Sequence, residues 1–117
     1  MWPGVEVKFK IWFELSGQPL LGEGGYELLK AVEEEGSIMG ACRKLGLSYR
    51  KALNYIRRLE GLLGKKVLLT KRGGPGGGKA VLTDDARALV RAYEVVKEAV
   101  ERTIRKVGLT ALADLGH

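Results

Sequence analysis

A mostly helical α+β fold is predicted from three observations. Apolar residues return at helical spacing in four separate stretches, at three of which a Ser or Thr stands where an N-cap belongs. Two short β-rich runs, Val67-Leu68-Leu69 and Ala80-Val81-Leu82, flank a loop that holds five glycines and one proline. A third β-like stretch, Val5 to Leu15, alternates apolar odd positions with polar even ones, broken only by Trp12.

The elements follow in order. Val5–Leu15 is expected to be a strand with one buried face, ended by a turn at Ser16-Gly17-Gln18-Pro19. Gly22 to Glu35 is expected to be a helix with Leu28, Leu29 and Val32 inward, stopped by Gly36. Ser37 caps a short helix with Ile38, Ala41, Cys42 and Leu45 inward, closed by Gly46. Ser48 caps the next, whose Ala52, Ile56, Leu59 and Leu63 form the inner stripe before Gly64. Thr83 opens a long helix with Asp84 and Asp85 in its first turn, where the dipole favours anions. It is expected to end near Gly108, leaving 109–117 as a tail or one more turn. Helix, short helix, turn, helix and hairpin is the order of a winged helix-turn-helix. The expected division is 1–82 for that unit with its N-terminal strand, and 83–108 for a dimerisation helix of the same domain.

The 117 residues are enough for one domain with a modest core. No apolar run reaches the ~20 residues of a membrane span, so no membrane partner is expected. Glu6, Lys8 and Lys10 interrupt any signal-peptide layout. The one cysteine excludes an internal disulfide and fits a reducing compartment, hence the cytoplasm. Charge is the most uneven property. Residues 43–79 hold eleven Lys and Arg against Glu60 alone, whereas the other eighty hold nine basic and thirteen acidic side chains. A domain with net charge +6 that gathers its cations this tightly is expected to meet a polyanion, duplex DNA above all.

The positions sort by what each side chain can recognise. Ser48, Tyr49, Arg50, Lys51 and Asn54 stand at the start of the second helix of the pair, where base edges of the major groove are read. Arg57 and Arg58 lie farther along and are expected to hold phosphates, and Ser37 marks the entry of the helix pair. Lys71, Arg72, Gly73, Gly74, Gly76, Gly77, Gly78 and Lys79 form the wing, its glycines letting backbone approach the duplex.

Other chemistries fit less well. GGPGGGK has the GxxxxGK spacing of a phosphate-binding loop, but Ala80 stands where Ser or Thr should bind Mg²⁺, and a strand follows instead of a helix. Cys42 reads as a small core residue, and His117 stands alone, so neither a metal nor another cofactor is expected. No paired carboxylates or Ser–His–Asp set suggests an enzyme. In the long helix, Ala86, Tyr93, Val100 and Val107 recur every seven residues, interleaved with Leu89, Val96 and Thr103. Ala86, Leu89, Val90, Tyr93, Val96, Val100 and Ile104 are therefore the expected homodimer seam.

GSIMGACRKLGLSYRKALNYIRRLE, then RGGPGGGKAVLT and an amphipathic helix, resembles the N-terminal DNA-binding domain of the molybdate-responsive ModE regulators over about residues 5–106. Gly36-Ser37-Ile38 matches that family's GSI start, Ser48-Tyr49-Arg50 its recognition start, and Gly73 to Gly78 its wing. Leu53 stands where the family usually has Trp. The helix-turn-helix half also looks like LysR-type regulators, which lack such a wing. The resemblance implies a sequence-specific DNA-binding regulator working as a homodimer on an inverted repeat. The resemblance does not extend to that family's molybdate-binding domain, so it carries over the DNA-binding half and not regulation by molybdate, and a separate sensor protein is left open. The alternative expectation is a non-specific architectural or protein-interaction module.

Overall fold

In the computed structural model, residues 2–72 and 78–116 are described, and the order is β1 (Phe13–Leu15), β2 (Gln18–Leu21), α1 (Glu23–Glu35), α2 (Ile38–Leu45), α3 (Tyr49–Leu63), β3 (Leu68–Lys71), β4 (Lys79–Leu82) and α4 (Asp84–Ala113). The predicted caps form. Ser37 Oγ accepts from the Gly40 N–H at 2.8 Å, Ser48 Oγ from Lys51 at 3.1 Å and Thr83 Oγ1 from Ala86 at 3.2 Å. α1, α2 and α3 end on Gly36, Gly46 and Gly64 in the left-handed region, with φ of 74°, 69° and 68°.

The core surrounds α1. Leu29 and Val32 are fully enclosed, and around them pack Ile38 and Ala41 of α2, Ala52, Ile56 and Leu59 of α3, and Leu20 and Leu21 of β2. Val67 with Leu68, Ala80 and Leu82 of the β3–β4 hairpin close one side. Ala86, Val90 and Tyr93 of α4 close another. The amide of Ala80 donates to the Gly36 carbonyl at 2.9 Å, which ties the hairpin to the end of α1.

Two expectations change. The alternating N-terminal stretch forms a ladder only at Phe13–Leu15, paired with Gln18–Leu21 across a two-residue turn at Ser16 and Gly17. Period two reports a half-buried face, and here α4 supplies the burial without a neighbouring strand. Phe9, Ile11 and Phe13 are half-buried, the Tyr93 hydroxyl reaches the Ile11 carbonyl at 3.0 Å, and Trp12 is exposed. Second, α4 does not stop at Gly108. It runs 30 residues to Ala113, about 45 Å, because Gly108 sits inside the helix with Val7 of the N-terminal segment against it. The molecule is long in consequence, 64 × 32 × 20 Å.

α1 and α4 are joined by tyrosine–carboxylate pairs. Tyr26 donates to Glu94 at 2.6 Å, and Tyr93 shares its proton between Ile11 and Glu23, each at 3.0 Å. Lys97 closes on Glu23 at 2.8 Å and Lys30 on Glu94 at 3.4 Å. The Lys97 ammonium holds Glu23 below the usual carboxylate range, and the Tyr26 hydroxyl does the same for Glu94. Burial, reinforced by Glu23, pushes Tyr93 up to about 12.

A raised tyrosine pKa stabilises the fold fully below its ordinary value of 10 and loses that contribution as pH rises to about 12. Urea midpoints should therefore fall across that window, and Tyr93→Phe should flatten the fall. The depressed carboxylates act in the opposite sense, with stability lost as pH drops below about 4. That acid loss should be small, since the Glu23 side chain is 51% exposed. At the cap of α2, Ser37→Ala should cost about 1 kcal/mol in chemical denaturation.

Candidate nucleic-acid interface

α2, the turn at Gly46-Leu47-Ser48 and α3 form the helix pair. Its angle is held by the shared apolar stripe of Ala41, Cys42, Ala52 and Ile56 and by the contact of Cys42 Sγ with the Ser48 carbonyl at 3.8 Å. Cys42 is buried, as a small core residue should be. Because the inner stripe of α3 is Ala52, Ile56 and Leu59, the opposite face carries Arg50, Asn54 and Arg57, all exposed. Tyr49 and Lys51 are exposed beside them. Ser48 and Ser37 use their oxygens as caps, leaving each hydroxyl proton free to donate outward.

β3 and β4 pair with Leu68 opposite Leu82 and Lys71 opposite Lys79. Like charges face each other at the wing's base, an arrangement that weakens a hairpin on its own but concentrates positive charge. Gly78 is required there, since a Cβ would lie 2.9 Å from the Lys71 carbonyl oxygen. Gly73, Gly74, Gly76 and Gly77 lie outside the described residues.

Between α3 and the wing runs an open cleft of about 680 Å³, with Tyr49, Leu53 and Arg57 on one wall and Thr70, Lys71, Arg72 and Lys79 on the other. Ile38 and Met39 form its end. Sequence reasoning missed Met39 and Thr70, which became neighbours only when the wing folded against α2. Leu53 faces the cleft rather than the outer face of α3.

Arg58 departs from its expected role. Its guanidinium donates to the Pro19 carbonyl at 2.8 Å and lies 5.7 Å from the centre of the Tyr55 ring, on the side of α3 that meets β2. Tyr55 in turn donates to the Leu20 carbonyl at 3.2 Å.

The charges of the region divide clearly. Of its cations, Lys44, Lys65 and Lys66 pair with Glu34, Asp85 and Glu60. Among the described residues, Arg43, Arg50, Lys51, Arg57, Arg58, Lys71, Arg72 and Lys79 have no carboxylate in ion-pair range. Glu60, the one acid of the basic stretch, accepts from the amides of Val67 at 2.9 Å and Leu68 at 3.5 Å. It therefore fastens the wing to the end of α3 and neutralises little of the exposed charge.

The seam residues also separate. Ala86, Val90 and Tyr93 are buried in the chain's own core and are not available to a second chain, a correction to the heptad reading. A seven-residue repeat records an apolar stripe without saying which body covers it. Beyond Tyr93 the only buried residue of α4 among those described is Gly108, so Val96, Val100, Thr103, Ile104 and Val107 lie past the core.

A helix-turn-helix braced by a two-stranded wing, with unpaired cations on both, defines a winged-helix regulatory domain. Residues 25–87 match the bacterial regulatory helix-turn-helix proteins of the LysR family, and the chain belongs to that family. It is also ModE-like. It is 34% identical over 84 residues to the molybdenum-pterin-binding protein MopB of Rhodobacter capsulatus, which covers 72% of this chain and 31% of that protein. To the molybdenum transport protein ModE of Azotobacter vinelandii it is 34% identical over 77 residues, 66% of this chain and 28% of that one. To the DNA-binding transcriptional dual regulator ModE of Escherichia coli K12 it is 31% identical over 75 residues, 64% and 29% of the two. The chain thus spans about a third of the length of these curated relatives. The class is that of the bacterial regulatory helix-turn-helix proteins.

Glu60→Ala should detach the wing, leaving the Val67 and Leu68 amides without their acceptor. A loss of about 1–3 kcal/mol in thermal or urea unfolding is expected, with faster amide exchange at Val67 than elsewhere in the core.

Proposed function

We propose that this chain binds duplex DNA sequence-specifically through α3 and the wing, as a homodimer on an inverted repeat, and thereby controls transcription in the cytoplasm. The observation that carries the reading is the group of cations without carboxylate partners arranged around α3 and the cleft beside it. Unpaired surface charge has no salt bridge to give up and releases counterions when it meets phosphate.

Within this reading α3 lies in the major groove. Arg50 and Asn54 project from its outer face, where Arg matches guanine edges and Asn matches adenine edges. Lys51, Tyr49 and Ser48 flank them at the helix start. Arg57, Lys71, Arg72 and Lys79 converge on the cleft, which suits a sugar–phosphate strand passing between helix and wing. Arg58 is assigned to bracing α3 on the β1–β2 hairpin.

The dimer rests on the distal half of α4. Val96, Thr103 and Thr110 alternate with Val100 and Val107 in a stripe without charge, Leu89 being packed on the chain's own core, and Val96 and Val107 are exposed. A two-fold pairing of such stripes would set the two α3 helices in successive major grooves, ~34 Å apart.

Selection from random duplexes should return a palindromic motif; recovery of no motif would favour a non-specific architectural role. Affinity should fall by about 10³ or more between 50 and 200 mM salt. Arg50→Ala should relax preference at one position of each half-site, while Lys79→Ala should weaken all sequences alike and lower the salt slope by about one. Light scattering should give a dimer at micromolar concentration, and a monomer would refute the assembly.

A further inference from the structure

We propose that the N-terminal segments of two copies of this chain pair as an antiparallel β-ribbon across a two-fold axis at Val7. The inference rests on the homodimer reading above and adds a second element to its interface. Residues 5–12 alternate in sequence like a strand and belong to no helix or ladder, and among the described residues none of their amides or carbonyls bonds to another backbone group. Within the same set, the one hydrogen bond the segment's backbone makes is the Tyr93 hydroxyl on the Ile11 carbonyl. One side of the segment is already covered: Val7 lies so near Gly108 of α4 that a Cβ added there would come within 3.4 Å of its side chain, and Phe9 and Ile11 are half-buried. What remains is a strand edge with a row of unused donors and acceptors, the surface that recruits another strand.

The sequence of the segment selects its own reverse as the partner, and selects the register. With Val7 opposite Val7, Glu6 of each copy faces Lys8 of the other, and Val5 faces Phe9. Two opposite-charge pairs and three apolar pairs then line the ribbon. Moving the axis to Glu6 sets Glu6 against Glu6, moving it to Lys8 sets Lys8 against Lys8 between two Glu6–Lys10 pairs, and moving it to Phe9 sets Lys8 against Lys10 twice, so of these registers the one at Val7 alone has opposite-charge pairs without a like-charge pair. The chosen register also carries Trp12 toward the end of the other strand that bears Trp2. These are the chain's two tryptophans, 55% and 54% exposed. The location agrees with the rest of the interface. Val7 touches α4 at Gly108, beside the exposed Val107 of the uncharged stripe, so one two-fold axis can serve both elements.

The test separates this pairing from dimerisation itself. Glu6, Lys8 and Val7 are exposed, so substitutions there leave the core intact. E6K chains place Lys against Lys across the axis, and K8E chains place Glu against Glu, but a mixed dimer restores both ion pairs. Native mass spectrometry of the two variants mixed should show the heterodimer enriched severalfold over the statistical mixture, more so at low salt. In a C42S background, Val7→Cys should form an intermolecular disulfide in air, because facing Cα atoms of an antiparallel pair are ~4.5–5.5 Å apart. Lys8→Cys and Phe9→Cys should not, their counterparts being displaced along the ribbon. A statistical mixture together with no cross-link at position 7, in a protein that remains dimeric, overturns the ribbon and leaves the α4 dimer standing. That is also the result expected if another protein's strand fills this edge. A cross-link at position 8 or 9 in place of 7 overturns the register, and a monomeric native protein overturns the ribbon and the homodimer together.

Discussion

The junction at Gly36 and Ser37 sets the geometry on which the rest depends. Gly36 adopts a left-handed conformation that ends α1, donating its N–H to the Val32 carbonyl at 2.8 Å. Its own carbonyl accepts from Ala80 of the wing at 2.9 Å. The next residue, Ser37, opens α2 by capping Gly40. Two adjacent residues thus close the central helix, start the helix-turn-helix and anchor the wing. A residue with a Cβ at position 36 would resist the required φ of 74°.

Charge is distributed by use. The carboxylates Glu23 and Glu94 are consumed between α1 and α4, where tyrosine hydroxyls and lysines hold them ionised and fix the long helix to the body. Glu60 turns inward to the wing's backbone. What is left around α3 and the wing is positive charge with nothing of opposite sign beside it. Repulsion between Lys71 and Lys79 across the hairpin is a local destabilisation that the attachments of Glu60, Thr83 and Ala80 offset.

Local chemistry made most of the fold legible. Ser37, Ser48 and Thr83 announce helix starts because their hydroxyls satisfy amides that no helix can satisfy for itself. The glycines at 36, 46 and 64 announce ends for the complementary reason. The face of α3 followed from the spacing of Ala52, Ile56 and Leu59 alone. The bond of Arg58 to Pro19 was not legible, because nothing along the chain says that Pro19 would come to lie beside it. Met39 was missed because an exposed methionine on a short helix carries no signal until a wing folds alongside.

The same distinction governs the assembly. The sequence by itself determined which residues are apolar and at what period, hence the elements, the caps and the clustering of cations, since these depend on neighbours only a few positions apart. Only the tertiary structure decided which body covers each stripe. Tyr93 repeats in phase with Val100 and Val107, yet it is buried against the chain's own α1 and β1 while Val107 lies exposed beyond the core. Val5 to Leu15 alternates like a strand in a sheet, yet most of it has a helix on one side and no strand at its edge. Periodicity is a property of one element, whereas burial depends on where a helix about 45 Å long outruns the core it leaves, and only the folded chain determines that point.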